Sequence, residues 1–312
     1  MAVMAQPMKR RRWSVMRRRE AIAGYLFILP WLIGLIVFTA YPILATVYFS
    51  FTDYNIIQPP HWVGLSNYTT MFTADTDFWN GVGNSLYYAL ISVPLGLAFS
   101  LGLALVLNLR ARGVGVYRAL FYLPALAPSI VATVVFLMLL DPQNGLVNVL
   151  LRAVGLPAPG WFEDPSWSKP ALIILSLWGA GTAALIFLAG LQEIPQALIE
   201  AATIDGAGAW SRFWNVTLPL LSPVVLFNLV MGVIWSFQVF DQAITVGGTT
   251  GDPLGSTLMF MVMIYNNAFR YFSMGYASAL SVVLVLAILV VTAVIFRTSR
   301  LWVFYEGQQR DA

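Results

Sequence analysis

The sequence predicts an all-α integral membrane protein with six transmembrane helices. Of its 312 residues, 59% are hydrophobic and only 10% are charged, whereas an ordinary soluble domain has roughly 25% charged residues. The mean hydropathy of +0.76 means that one aqueous core cannot bury all the apolar side chains, while a bilayer accepts them. The apolar residues also fall into separate runs of about twenty residues, the length that crosses a bilayer.

The six apolar runs cover residues 22–51, 85–107, 117–140, 171–191, 218–240 and 276–296. The first follows two basic clusters, at 9–12 and 17–19, but it is too long for the apolar region of a cleaved signal peptide, so we expect an uncleaved signal anchor. Proline at membrane depth interrupts the backbone hydrogen bonds of a helix. We therefore expect kinks at the prolines inside these runs: Pro30, Pro42, Pro94, Pro124, Pro128 and Pro223.

The distribution of basic residues predicts the orientation. The two tails and the two loops on their side of the membrane hold 14 of the 17 lysines and arginines, and the opposite loops hold only Arg152, Lys169 and Arg270. Because basic residues concentrate in cytoplasmic loops, both termini are expected in the cytoplasm. The predicted division is a basic N-terminal tail over 1–20, a transmembrane domain over 21–300 and a C-terminal tail over 301–312. A net charge of +3 placed at membrane flanks does not indicate nucleic-acid binding.

The segment 193–219 is a cytoplasmic loop in this topology. Pro195 suits a first helical turn, and Gly206 suits a left-handed stop. Between them lies a stripe of small apolar residues with helical spacing: Ala197, Leu198, Ala201 and Ala202. After Gly206, three aromatic residues have the spacing of a helix lying flat in the membrane interface: Trp210, Phe213 and Trp214. A short helix with a small-residue face and an exposed Glu200 is what a membrane protein offers to a groove on a soluble partner. The alternative is an ordinary alanine-rich connector.

The segment EAATIDGAGAWSRFWNVTLP resembles the EAA loop of the permease subunits of binding-protein-dependent ABC importers. That loop reads Glu-Ala-Ala, three residues, Gly, nine residues, Ile, one residue and Leu-Pro. Val216 stands where the family has isoleucine, and the other motif positions match at Glu200, Ala201, Ala202, Gly206, Leu218 and Pro219. The resemblance implies that these residues couple the chain to an ATPase.

The resemblance extends over nearly the whole chain and points to the first permease of sugar and glycerol-phosphate importers, through YLFILPWLIGLIVFTAYPI, FTDYN, GLSNY, FYLPALAPSIVA and LDPQNGLVN. It implies a type I ABC importer permease (MetI-like) bundle in the bacterial inner membrane. The implied partners are a second homologous permease, two copies of a cytoplasmic ABC ATPase, an extracytoplasmic solute-binding protein and membrane lipid. No cofactor is expected in this chain, because ATP and Mg would be bound by the ATPase subunits.

The chain is expected not to be an enzyme. It has no G-x-x-x-x-G-K-[ST] loop, and its two lysines, Lys9 and Lys169, are not in a glycine-rich setting. A gradient-driven transporter is an alternative that predicts buried ionisable relays and internal repeats, neither of which the sequence has. A channel or scaffold would leave the EAA spacing unexplained.

A sugar site needs hydroxyl, amide and aromatic groups facing the bundle interior. The fifth run supplies such groups at Asn228, Trp235, Ser236 and Gln238. The resemblance to the maltose permease implies substrate contact around Trp235, Ser236 and Val239 and, on the fourth run, at Gly179 and Thr182. Asp241 is either part of this site or a solvated carboxylate at the interface, and Trp178 and Trp235 either stack on sugar or pack on a helix or lipid. The large outer insertion of the maltose permease is absent, so whether substrate binds in this chain stays open. Sugars, oligosaccharides, polyols and glycerol phosphate all remain candidate substrates, although no arginine cluster faces the interior to favour a phosphate.

Overall fold

The computed structural model describes residues 15–109 and 113–304. Part of the predicted basic tail (residues 1–14), the cytoplasmic-loop arginines Arg110 and Arg112, and residues 305–312 of the predicted C-terminal tail lie outside the described residues. Nearly all of the predicted transmembrane domain lies within them.

The described chain is almost entirely helical. Its α-helices are α1 (Val15–Leu35), α2 (Tyr41–Phe49), α3 (Ser66–Thr73), α4 (Thr76–Leu107), α5 (Val114–Tyr122), α6 (Ser129–Leu139), α7 (Leu146–Ala153), α8 (Pro165–Leu177), α9 (Gly181–Glu193), α10 (Gln196–Ile204), α11 (Ala209–Arg212), α12 (Leu218–Ser236), α13 (Asp241–Gly247), α14 (Phe260–Tyr265) and α15 (Met274–Ser299). Turns of π-helix occupy Ile36–Ala40, Phe213–Thr217 and Asn266–Arg270, and turns of 3-10 helix occupy Leu123–Leu126 and Trp178–Ala180. The loop after α2 contains one antiparallel pair of two-residue strands, β1 (Thr52–Asp53) and β2 (His61–Trp62), which leaves the all-α class unchanged.

Within residues 15–109 and 113–304, five helical segments are long and apolar enough to cross a membrane: Arg18–Phe49, Thr76–Leu107, Pro165–Glu193, Ala209–Gly247 and Met274–Ser299. A sixth span exists if α5 and α6 are counted together, but these two helices are bent by 98°. The run over 117–140 is therefore interrupted near Pro124 and Pro128, where kinks were expected, and the bend is sharp enough to divide it into two helices. The chain turns at Ala127, which is extended (φ −71°, ψ 139°), because a residue that precedes proline avoids the helical conformation.

The other prolines are accommodated with less disruption. Pro42 and Pro219 lie in the first turn of α2 and α12, each directly after a π-helical turn. A π-helical turn is wider than an α-helical turn, so it leaves room for the proline ring, which would otherwise clash with a carbonyl. It also accommodates the hydrogen bond that proline, which has no N–H, cannot donate. Helices α1, α4 and α12 continue through Pro30, Pro94 and Pro223.

The bundle is organised around α4, which packs against α8, α9, α12 and α14. One buried cluster includes Phe78, near the start of α4, and residues of α8, α14 and α15. A second cluster joins Leu107, at the end of α4, to Leu191 and Leu221. Because α4 is about 48 Å long at the α-helical rise, its two ends mark opposite ends of the bundle. The α10 segment follows Leu191 and so lies at the Leu107 end.

Candidate functional site

A cavity of about 730 Å³ opens between α4, the α8–α9 rod, α12 and the segment that leads into α13. Its volume lies within the range of roughly 300–1,000 Å³ that is usual for small-molecule sites. The structure brings all seven sequence-predicted pathway residues to the wall of this one cavity: Gly179, Thr182, Asn228, Trp235, Ser236, Gln238 and Val239.

These polar residues differ in what they offer to a solute. Ser236 Oγ donates to its own helix at Val233 O, 2.8 Å away, so its hydroxyl is already used. Asn228 Nδ2 donates to Val224 O at 2.9 Å, which leaves the amide oxygen as its acceptor toward the cavity. Among the described residues, no hydrogen bond engages the side chains of Thr182 and Gln238, so both keep their full capacity.

Asp241 belongs to the cavity wall. It is the first residue of α13, and its Oδ2 accepts a hydrogen bond from Ser129 Oγ at 2.6 Å. Ser129 also lines the cavity, and the sequence analysis missed it. The two residues are 112 positions apart, and only the sharp bend before α6 brings Ser129 to this wall, so no local sequence signal identifies it.

The two candidate tryptophans have different surroundings in the structure. Trp235 lines the cavity and is 56% exposed, so its ring is available to a solute. Trp178 lies outside the cavity lining and packs edge-on against Phe136, with 5.6 Å between ring centroids and 78° between planes. Of the two alternatives for Trp178, the structure therefore favours packing on a neighbouring helix over stacking on a sugar.

Two nearby glycines have different roles. A Cβ on Gly179 would meet nothing within 4 Å, whereas a Cβ on Gly181 would lie 2.4 Å from the carbonyl oxygen of Phe121. Gly181 thus allows α9 to approach the α5 segment closely. Gly179 was predicted as a pathway residue and lines the cavity, whereas the sequence analysis did not single out Gly181.

The second candidate region is the loop around α10, at the opposite end of the spans from β1 and β2. Pro195 immediately precedes α10, with φ −58° and ψ 122°, rather than lying in its first turn as expected. After α10, Ala207 N donates to Ala202 O and Gly206 N donates to Thr203 O, the pattern of a Schellman cap. Gly206 has φ +81°, which confirms the prediction of a left-handed residue there.

Helix α10 has no buried residue. Its exposed face carries Glu200 and Ala201, and Ile204 is 86% exposed. Gln196 Nε2 donates to Glu200 Oε1 at 2.9 Å, which holds the carboxylate along the helix. Arg212, a basic residue that sequence reasoning used only for topology, braces the loop: its Nη1 donates to Thr203 Oγ1 at 2.9 Å.

The aromatic residues after Gly206 do not form a separate flat helix. Trp210, Phe213 and Trp214 pack on one another, with ring centroids 5.3–6.2 Å apart. They lie on α11 and the π-helical turn that leads directly into α12, whose first two residues are Leu218 and Pro219. The loop is therefore joined without a break to the helix that carries Asn228, Trp235 and Ser236.

Neither region has the arrangement of a metal centre. Within residues 15–109 and 113–304, no group of three or more His, Asp or Glu side chains is placed to hold a metal ion. The cavity offers hydrogen-bonding groups, several aromatic side chains and the carboxylate of Asp241, a combination that suits reversible binding of a polar solute.

Comparison with known proteins identifies relatives over most of the chain. Residues 78–301 match the family described as binding-protein-dependent transport system inner membrane component. The probable ABC transporter permease protein YesP of Bacillus subtilis is 40% identical, and the match covers 94% of this chain and 95% of the relative. The sulfoquinovosyl glycerol transport system permease protein SmoG of Agrobacterium fabrum is 35% identical, covering 90% and 91%. A solved bacterial ABC transporter that imports the acidic polysaccharide alginate has the same fold (TM-score 0.79, 24% identity, 91% of this chain and 96% of that one).

Proposed function

This chain belongs to the family of binding-protein-dependent transport system inner membrane components, and we propose that it carries a sugar or a related polyhydroxylated solute through the cavity beside α4, α9 and α12. As a member of that family it is a multi-pass inner membrane protein and a permease subunit of an ABC importer, a transport component and not an enzyme.

The observation that carries the substrate class is the composition of the cavity wall. Thr182 from α9, Gln238 from the α12–α13 link and Asn228 from α12 converge on one space, beside the exposed ring of Trp235. Several hydroxyl groups leaving water need several partners, and an apolar wall cannot supply them. The name of the similar protein SmoG includes sulfoquinovosyl glycerol, a glycoside, which supports the same class.

The loop around α10 is proposed as the docking element for the ATPase. Its support is the exposed helix with Glu200 on its surface, the fixed cap at Gly206 and the brace from Arg212. A helix whose C-terminal end is capped and braced can pass on the movement of a partner that binds it in a groove. The continuous path from α11 into α12 would then carry that movement to the wall of the cavity.

The proposed assembly contains a second homologous permease, two copies of a cytoplasmic ABC ATPase that hold ATP and Mg, and an extracytoplasmic solute-binding protein. Both termini are placed in the cytoplasm, with a basic tail over 1–20, the transmembrane domain over 21–300 and a tail over 301–312. Arg118, Arg212, Arg297 and Arg300 all belong to segments at the α10 end of the bundle, which supports this orientation through the positive-inside rule.

Transport of labelled solutes tests the substrate class. The complex is reconstituted into liposomes with its binding protein, and ATP-dependent uptake is measured for maltose, lactose, a linear trisaccharide and glycerol 3-phosphate, with an amino acid as comparison. Asn228→Leu is expected to reduce sugar uptake by about twofold to tenfold, because one neutral hydrogen bond contributes roughly 0.5–1.5 kcal/mol. Trp178→Phe, outside the cavity, is the control and should transport normally. Uptake of the amino acid alone would contradict the proposal.

Coupling is tested in the same liposomes. Glu200→Gln and Gly206→Pro are expected to abolish ATP-driven uptake while the protein still inserts and assembles with its partner permease, because both changes lie on the exposed loop. Normal uptake by a well-expressed Gly206→Pro variant would refute the role of this loop.

A further inference from the structure

The end of the described chain folds back on the start of α12. Helix α15 ends at Ser299, and the chain then turns, with Val303 N donating to Ser299 O at 2.8 Å. Val303 is 8% exposed, so the turn is packed into the structure. The next residue, Phe304, donates its backbone N–H to Ser222 Oγ at 2.8 Å. The first residues of the predicted C-terminal tail are therefore fastened to α12.

The same hydroxyl also repairs a gap in the backbone of α12. Ser222 Oγ donates to Pro219 O at 2.6 Å. In an α-helix this carbonyl would accept from the N–H of residue 223, but residue 223 is proline, which has no N–H. Ser222 therefore supplies the donor that Pro223 lacks, and at the same time it accepts from Phe304.

Ser222 makes more than the bond that serine usually makes inside a helix. Ser281 is the ordinary case: its Oγ donates to Ala277 O at 2.9 Å, and within the described residues its side chain makes no other hydrogen bond. Ser222 makes the equivalent bond and also accepts from a segment 82 positions away. Because Ser222 is only 4% exposed, both of its bonds are shielded from water.

The start of α12 is the place where the path from the α10 loop to the cavity would bend most easily. Pro219 and Pro223 cannot donate to the preceding turn of the helix, and helices bend at proline. Pro219 also ends the EAA motif and directly follows the segment that joins α11 to α12. A force on the loop therefore enters α12 at its least strongly bonded turns.

We propose that Ser222 is a positioning residue for coupling, which together with the chain end at Val303 and Phe304 braces the start of α12. A movement of the α10 loop then displaces α12 as a whole instead of bending it between Pro219 and Pro223. The proposal rests on the proposed function, because it takes the α10 loop as the docking element for the ATPase. The brace also attaches α12 to the end of α15, against which α12 packs.

The test measures the amount of solute carried per ATP hydrolysed. The whole transporter is reconstituted into liposomes with its binding protein, and uptake of labelled maltose, lactose and a linear trisaccharide is measured together with ATP hydrolysis. Ser222→Ala is expected to lower uptake per ATP about twofold to tenfold, the scale of one neutral hydrogen bond. Hydrolysis should continue, because α10 and its cap are unchanged. Ser222→Thr keeps a hydroxyl and should stay closer to the wild type than Ser222→Ala.

A second set of variants leaves Ser222 in place. Phe304→Pro removes the backbone N–H, whereas Phe304→Ala keeps it, so Phe304→Pro should lower uptake per ATP more than Phe304→Ala. Ser281→Ala removes an ordinary helix bond and should match the wild type. A purely structural role of Ser222 would lower the amount of folded transporter and reduce uptake and hydrolysis together, which would leave their ratio unchanged.

The outcomes are distinguishable. Unchanged uptake per ATP in Ser222→Ala, or equal values for Phe304→Pro and Phe304→Ala, would overturn this proposal while the proposed function stands. An equal loss in Ser281→Ala would also overturn it, because the effect would then belong to any helix serine. If Ser222→Ala does not fold, the two Phe304 variants decide the question alone. A wild type that carries none of the three sugars when ATP is supplied would contradict the proposed function, and this proposal would fall with it.

Discussion

Serine at Gly206 is expected to weaken docking of the ATPase without disturbing the membrane bundle. Gly206 has φ +81°, and a Cβ there would meet nothing within 4 Å, so the substitution introduces backbone strain and no clash. A left-handed conformation costs an L-residue about 1–2 kcal/mol. If α10 must keep its capped geometry to dock, the apparent Kd for the ATPase should rise by a factor of about 5–30.

Gly208→Ser is the matched control. Gly208 lies two residues further along the same loop with φ −67° and ψ 166°, a conformation that serine adopts freely, and it caps α11, where serine is a favoured residue. A Cβ there also meets nothing within 4 Å. Binding of the purified ATPase to nanodisc-embedded permease measures both variants. Equal affinities for Gly206→Ser and Gly208→Ser would refute the reasoning, because the variants share their chemistry and differ in the backbone angle they must accept.

Three further results are expected. Gly181→Ala should lower the free energy of unfolding by about 1–3 kcal/mol through overpacking, measured by thermal unfolding in detergent, whereas Gly179→Ala should leave it unchanged because that position faces open space. Arg212→Gln should reduce coupled uptake but not folding, since the brace that it loosens is on the exposed loop; unchanged uptake would contradict this. Trp161→Phe should destabilise the fold by about 1–3 kcal/mol, because it leaves the buried Asn148 oxygen without its donor; an unchanged melting temperature would contradict it.

Hydropathy predicted the number of spans but not their ends. The second run was expected to start at residue 85, yet α4 begins at Thr76, capped by Asp75, whose side chain accepts from Phe78 N. The first turns of α4 are polar, so a search for apolar residues starts too late. The Asp-Thr-Asp sequence is nevertheless a recognisable helix start. A kink at Pro128 was expected, because proline favours an extended residue before it, here Ala127, but the 98° angle of the bend does not follow from the sequence.

The candidate site shows where local sequence stops being informative. The fifth apolar run was expected to supply Asn228, Trp235 and Ser236 to a solute site, and the structure puts all three on the cavity wall. The sequence does not reveal which hydrogen bond a hydroxyl makes, so the bond that Ser236 Oγ donates to Val233 O of its own helix was not expected. Long-range pairs such as Ser129 with Asp241 arise only from the tertiary arrangement.

The break in the third span determines where Ser129 lies on the cavity wall. In a straight helix over 117–140, Ser129 would lie in the middle of one long helix. The turn at Ala127 instead makes Ser129 the first residue of α6, where its hydroxyl donates to Asp241. Helix α6 then packs along α13, which follows directly from the cavity-lining end of α12. The α10 loop is joined to the other end of that same rod, through α11. If the loop is the docking element that we propose, a displacement of it would reach Asn228, Trp235 and Ser236 on the cavity wall through the helix that runs from α11 into α12.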